Sequence, residues 1–110
     1  MAAHLAQARQ VLDLLETGIV RLDESGRIQF MNSAAENFLM ISRDRASGRP
    51  IGEVSYIPED VMDAIRHMPE TGNSIRLHEQ PVGEHLYDCT LKLTENRELL
   101  LELHSLEWEQ

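Results

Sequence analysis

The stretch GIVRLDESGRIQFMNSAAE, residues 18–36, contains two β-prone runs, a turn and a helix start in close succession. The β-prone runs, 19–23 and 27–31, are separated by a Glu-Ser-Gly tripeptide that favours a tight hairpin. Ser33 and Glu36 match the reciprocal capping box that opens many helices. The stretch therefore predicts two antiparallel strands followed directly by a helix.

The residues that follow predict a helical middle and three further strands. The region through Tyr56 is expected to form short helical turns and loop, because polar residues interrupt the apolar pattern. A second helix is expected to begin near Pro58 and to end at Pro69 and Gly72. Its apolar face is predicted to contain Val61, Ala64, Ile65 and Met68. The strands are expected at 74–80, 85–93 and 98–106, with breaks at 81–83 and 94–96.

The residues before the opening stretch predict an amphipathic helix over 1–17. Its apolar stripe is formed by Leu5, Ala8, Leu12 and Leu15, and it is widened by Val11 and Leu14. Two roles are open for this stripe: it covers the outer face of the sheet, or it pairs two subunits. We favour a dimer contact, since homo-oligomers usually form two-fold dimers.

Length and element order together predict one α+β domain. A chain of 110 residues is the usual size for a single compact core. The helix at 1–17 precedes a core at 18–106, and 107–110 is expected to begin a linker to a further domain. Helices are expected to cover one face of a five-stranded antiparallel sheet.

Charge and composition narrow the environment and the partners. The net charge of −9, from 19 acidic and 10 basic residues, disfavours binding to nucleic acid or anionic lipid. The single cysteine, Cys89, cannot form an internal disulfide, and the first residues lack the pattern of a signal peptide. No run approaches the roughly 20 apolar residues of a membrane helix. We therefore expect a cytoplasmic domain with no nucleic-acid partner and no membrane span.

The sequence lacks the motifs that would indicate catalysis or metal binding. It contains no glycine-rich phosphate loop and no nucleophile elbow, and its five histidines show no metal-ligand spacing. The carboxylates that could be imagined as acid–base pairs fall in a turn or on a polar helix face, where solvation and the helix dipole explain them. They are Asp23, Glu24, Asp60 and Asp63. The sequence predicts no catalytic residue, no metal site and no cofactor, and hence no enzyme.

A small-molecule pocket between the sheet and the second helix is the remaining candidate site. Its walls would be Phe38, Ile65, Cys89, Leu91 and Leu103. These side chains are apolar, with few convergent polar groups, so they do not indicate a specific polar ligand. A filled hydrophobic core is favoured, with the cysteine as a small packing residue.

Three segments carry a resemblance to a known family: LLETGIVRLDESGRI at 14–28, MNSAAE at 31–36 and GRPI at 48–51. In order and spacing they resemble the N-terminal half of a PAS domain, and the similarity extends through the second helix and the three final strands. Among PAS domains, the sequence is most similar to the N-terminal sensor domains of nitrogen-regulation histidine kinases of the NtrB type. The early start, the compact length and the LLLEL ending at 99–103 are the features shared with that group.

The resemblance implies a regulatory and dimerisation domain of a two-component sensor histidine kinase. A downstream kinase domain would then pass phosphate to a response regulator of nitrogen-dependent transcription. Haem-binding relatives take an axial histidine from the long helix, but His67 falls later in that helix, so a surface histidine is favoured. Cys89 lies outside the motif of light-sensing relatives. The alternative is a ligand- or cofactor-binding PAS sensor of another signalling protein or transcriptional regulator.

Overall fold

The structure is a computed structural model, and it describes residues 17–106. The helix predicted over 1–17 and the linker predicted at 107–110 lie outside the described residues, apart from Thr17. The strands are β1 (Gly18–Leu22), β2 (Ile28–Met31), β3 (Ile75–Val82), β4 (His85–Leu93) and β5 (Leu99–Ser105). The helices are α1 (Ser33–Leu39), α2 (Arg43–Ala46), α3 (Ile51–Val54) and α4 (Glu59–Thr71).

All five strands form one antiparallel sheet in the order β2-β1-β5-β4-β3. Alternate strand residues face the helices, as the period of two requires, and they form one core with the buried helix residues. The predicted apolar face of α4 is buried as well. The α+β fold with one five-stranded antiparallel sheet is thus confirmed. Within residues 17–106, no helix is long and apolar enough to cross a membrane.

The β1–β2 hairpin is closed by the side chain of Asp23. Its Oδ1 accepts the backbone N–H groups of Ser25 at 3.0 Å and Arg27 at 2.9 Å, and the Ser25 hydroxyl at 2.8 Å. Partial burial acts to raise the pKa of Asp23, but these hydrogen bonds outweigh it, so the pKa lies below its ordinary value. Gly26 has φ +86°, a conformation that glycine adopts without strain. The carboxylate therefore has a structural role in the turn.

The start of α1 differs from the predicted capping box. Asn32, not Ser33, is the N-cap, and its side chain accepts the backbone N–H of Ala35 at 3.0 Å. The Glu36 carboxylate does not reach back toward the cap but accepts the backbone N–H of Arg43 at 2.6 Å. Asparagine caps as well as serine does, and Asn32 has further partners in the sheet that hold it at the cap position.

The predicted end of the second long helix at Gly72 is confirmed, whereas two prolines do not end their elements as predicted. Pro69 lies inside α4, which continues to Thr71. The helix ends at Gly72, which has φ +71° and donates its N–H to the Met68 carbonyl. Pro81 lies inside β3 and does not break it. A strand at the edge of a sheet tolerates a residue without an N–H, and β3 is such a strand.

Replacement of Asn32 tests the cap. Asn32→Ala is expected to lower the free energy of unfolding by about 2–4 kcal/mol, because it removes the cap and leaves buried backbone groups unpaired. Ser33→Ala is the matched control and should cost less than about 0.5 kcal/mol. Urea denaturation measures both. If both variants lost the same free energy of unfolding, Asn32 would not be the dominant cap.

The thiol of Cys89 offers a second test of the core. Burial raises the pKa of Cys89 to about 11 from an ordinary 9.0, and the charge of Asp88 adds to the effect. A shift of this size reduces the thiolate fraction about a hundredfold near pH 8. A thiol-specific disulfide reagent is therefore expected to label native protein at least about a hundredfold more slowly than urea-unfolded protein. Comparable rates would show that the strand is not packed.

Candidate functional site

Four of the five residues predicted to form either a pocket wall or a filled core are buried, and the fifth is partly buried. Ile65, Cys89, Leu91 and Leu103 are each at most 3% exposed and lie in the core between α4 and the sheet. Phe38 alone lies at the margin of that core, where it is partly buried. Phe38 packs against the same core as the other four residues. Whether the five form a filled core, as we favour, or the wall of a small-molecule pocket stays a prediction.

A cavity of about 690 Å³ lies between the end of α1 and the β3–β4 turn. The described residues that line it are Asn37, Phe38, Met40, Val82, Gly83, Glu84, His85, Tyr87 and Ser105. Phe38 is the one residue shared with the predicted pocket. The cavity is therefore at the end of the helical layer, away from the interface of α4 with the sheet. We refer to it as the end cavity.

Two aromatic rings form the inner wall of the end cavity. The centroids of Phe38 and Tyr87 are 4.8 Å apart with an interplanar angle of 51°, an arrangement that favours contact between ring edge and ring face. Phe38 also packs on the first residue of β1, since a Cβ added at Gly18 would lie 2.9 Å from its Cδ2. Glycine is required there for α1 to approach the strand.

The rim of the end cavity has an unusual backbone. Met40, the C-cap of α1, has φ 60° and donates its N–H to the Glu36 carbonyl. Its side chain is 86% exposed. Left-handed backbone is uncommon for residues other than glycine, asparagine and aspartate. The helix end therefore directs a large apolar side chain outward at the mouth of the cavity.

The cavity lies beside the two places where the chain enters and leaves the sheet. β1 and β5 are neighbours in the sheet, and Gly18 pairs with Leu103 in their antiparallel register. Thr17 Oγ1 lies 3.4 Å from His104 Nδ1. Ser105, the last residue of β5, lines the cavity. The end of β5 therefore borders the cavity, and the start of β1 lies beside it in the sheet.

Asn32 ties the same junction together from the other side. The residue is fully buried, and its Oδ1 accepts the Ile19 N–H at 2.9 Å as well as that of Ala35. Its Nδ2 donates to the Thr17 carbonyl at 2.8 Å. One side chain therefore connects the start of β1, the start of α1 and the residue that precedes the sheet.

Some of the charged residues in the described part of the chain pair with one another. Asp63 accepts a hydrogen bond from Arg66 at 2.6 Å, and Glu24 pairs with Arg97 at 3.0 Å. The exposed His67 has its Nδ1 2.8 Å from the Asp63 carbonyl, on the outside of α4. Residues 17–106 contain no group of three or more histidine, cysteine, aspartate or glutamate side chains that could hold a metal ion.

Asp88 orders the turn end of β3. Its Oδ1 accepts the N–H of Glu79, a bulge residue with φ 53°, and its Oδ2 lies 3.4 Å from His78 Nδ1. The Glu79 hydrogen bond is the main reason that the pKa of Asp88 lies below its ordinary value, and the contact with His78 adds to it. The carboxylate shapes the strand that carries Val82 to the cavity.

Comparison with solved structures finds the same architecture in signalling proteins. The PAS domain of nitrogen regulation protein NR(II) from Vibrio parahaemolyticus superimposes with a TM-score of 0.69 at 20% identity, over 90% of this chain and 97% of that domain. The Escherichia coli DhaR(N)-DhaL complex gives a TM-score of 0.65 at 25% identity, over 94% of this chain and 36% of that chain.

A curated protein from Escherichia coli is also similar in sequence. The chain is 32% identical over 63 residues to the PTS-dependent dihydroxyacetone kinase operon regulatory protein of Escherichia coli K12. The match covers 57% of this chain but spans only about a tenth of that protein's length. The match therefore says nothing about whether this chain shares the activity of the whole regulator.

The family model of the PAS fold matches residues 6–102, which is nearly the whole chain. The structural superpositions agree with that match, because each of the two covers at least nine-tenths of this chain. The chain belongs to the PAS family, and it forms a sensor domain of the kind found in signalling proteins, not a catalytic domain.

Proposed function

We propose that this domain is the regulatory and dimerisation domain of a cytoplasmic two-component sensor histidine kinase of the nitrogen-regulation type. Its role is to transmit a signal to a kinase domain that follows it in the parent protein. That kinase domain phosphorylates its own histidine and passes the phosphate to a response regulator. The domain itself binds no nucleic acid and carries no catalytic group.

The single observation that carries this proposal is the junction at the start of β1 and the end of β5. The two connections leave neighbouring inner strands at the same end of the sheet, and the Thr17 carbonyl and hydroxyl contact Asn32 and His104. A displacement of the N-terminal segment therefore acts directly on the strand that leads to the next domain. Signal transmission needs only two states that differ by a few kcal/mol.

The nitrogen-regulation assignment is supported by the sequence. The early start of the domain, its compact length and the LLLEL ending at 99–103 resemble NtrB-type sensor domains. The nitrogen-regulation domain from Vibrio parahaemolyticus has the same fold over almost its full length. These similarities favour a kinase as the parent protein.

A transcriptional regulator is the second candidate, and one observation favours it. The 32% identity to the dihydroxyacetone kinase operon regulator exceeds the identity to the nitrogen-regulation domain. In this case the domain would regulate an attached transcription activator and bind a partner protein. Calorimetry with purified Escherichia coli DhaL distinguishes the two candidates: binding supports the regulator, and no binding supports the kinase.

The proposed dimer contact is the apolar stripe of Leu5, Ala8, Leu12 and Leu15. Leu12→Glu is expected to convert a dimer into a folded monomer, because it places a charge in an apolar two-fold contact. Gln10→Glu is the matched control, since it adds the same charge on the opposite side of the predicted helix and should leave the dimer intact. Native mass spectrometry and thermal unfolding measure subunit number and folding.

Three results would count against the contact. Leu12→Glu that remains dimeric would place the interface elsewhere, and an unfolded variant would assign the stripe to the core. A wild-type domain that is monomeric at high concentration would rule out the dimer.

The kinase assignment has its own test. Residues 1–106 replace the PAS domain of the Vibrio parahaemolyticus protein, and autophosphorylation is compared for Leu12→Glu and Gln10→Glu in that hybrid.

A further inference from the structure

We infer that Arg97 is a latch that holds the end of α4, residues 69–71, at the sheet and releases it when an exposed ion pair breaks. The latch joins three segments: the β1–β2 turn, the end of α4 and the β4–β5 turn. This conformational device goes beyond the proposed transmission role and does not depend on which domain follows in the parent protein. It also lies at the opposite end of β1 from the junction at Thr17, since the β1–β2 turn follows Leu22.

The guanidinium of Arg97 contacts two of these segments at once. Its Nε and Nη2 donate to the two carboxylate oxygens of Glu24 at 3.0 Å and 3.4 Å. Its Nη2 also donates to the Pro69 carbonyl at 2.8 Å. A planar guanidinium suits this arrangement, because its nitrogens donate in a fixed fork. One side chain thereby connects the β1–β2 turn to the end of α4.

The β4–β5 turn presents this side chain from a well-bonded backbone. Thr94 donates its N–H to the Glu98 carbonyl at 2.8 Å, and Arg97 donates its N–H to the Thr94 carbonyl at 3.0 Å. Arg97 has φ 63°, a left-handed conformation that is uncommon outside glycine, asparagine and aspartate. Because glycine would adopt this conformation at lower cost, an arginine here points to a role of its side chain.

The end of α4 is weakly supported by the helix itself. Pro69 has no N–H, so the Ile65 carbonyl cannot accept the usual helical bond from that position. Residues 70–74 are all exposed, and they therefore bury little apolar surface against the sheet. The Gly72 N–H retains a bond to the Met68 carbonyl at 2.8 Å. Segments with few buried contacts open locally at low cost.

The latch closes over a buried part of the core. Met68 is fully buried, and it immediately precedes the residue whose carbonyl Arg97 contacts. A Cβ added at Gly26 would lie 3.4 Å from Ile65 Cγ2, so the β1–β2 turn packs closely on α4. Release of the helix end would therefore uncover Met68 while the sheet stays intact.

The strength of the latch depends on ionic strength. The side chains of Arg97 and Glu24 are each 52% exposed, so dissolved salt screens their attraction. Exposed ion pairs contribute little free energy. The pair can therefore break without unfolding of the domain, and closed and open forms of the helix end can both be populated.

Hydrogen exchange of the full chain tests the latch. Arg97→Gln is expected to accelerate exchange at the amides of residues 70–72 at least about fivefold, because it removes the ion pair and the forked donor. Amides in the middle of β5 should change less than about twofold. Arg21→Gln is the matched control, since it removes another exposed ion pair of the same turn, that of Arg21 with Glu98 at 3.5 Å. This control should leave the exchange of residues 70–72 unchanged.

Salt gives a second readout that a general loss of stability would not produce. An increase from about 0.1 M to about 1 M sodium chloride shortens the Debye length from about 10 Å to about 3 Å. Exchange at residues 70–72 should accelerate in the wild-type protein relative to Arg97→Gln. If Arg97→Gln does not fold, Glu24→Gln removes the charge pair, leaves the bond to Pro69 available and should abolish the salt effect.

Three outcomes overturn the inference. They are equal exchange at residues 70–72 in Arg97→Gln and Arg21→Gln, an equal salt effect in the wild-type protein and Arg97→Gln, and acceleration that is uniform over the whole sheet. The last of these would indicate a global loss of stability. None of these measurements involves the dimer contact of the N-terminal segment, so failure here and failure of the proposed function are distinguishable.

Discussion

The amide of Asn32 is the interaction on which the rest of the structure depends. It is fully buried and satisfies two N–H groups and one carbonyl, from Ile19, Ala35 and Thr17. Buried backbone groups without partners are costly, so these three bonds hold the start of α1 beside the start of β1. The rest of α1 extends from this anchor.

The far end of α1 forms the end cavity because two further constraints act on it. Gly18 lets Phe38 approach β1, since any side chain there would collide with the ring. The helix then stops at Met40, whose left-handed backbone turns the chain away before it reaches the β3–β4 turn. A space remains between the helix end and the turn. The cavity is thus a consequence of where α1 must start and where it must stop.

The sequence predicts those parts of the fold that repeat. Alternating apolar residues identify the faces of β4 and β5, and the helical period identifies the face of α4, because burial imposes the same rule along each element. Single positions are less predictable. Asn32 and Ser33 are both good caps, and the bonds of Asn32 to Ile19 and Thr17, which are distant in sequence, distinguish them. Pro81 is compatible with a strand only because β3 is at the edge.

The end cavity was missed for the same reason. Its residues come from α1, the β3–β4 turn and the end of β5, and none of these segments shows a pattern that points to the others. The core between α4 and the sheet, by contrast, is formed by buried side chains from elements whose apolar faces repeat along the sequence. Packed interiors resist small displacements, whereas the junction of Thr17, Asn32 and His104 is held by a few hydrogen bonds at the margin of the sheet. The junction is therefore easier to displace than the packed core.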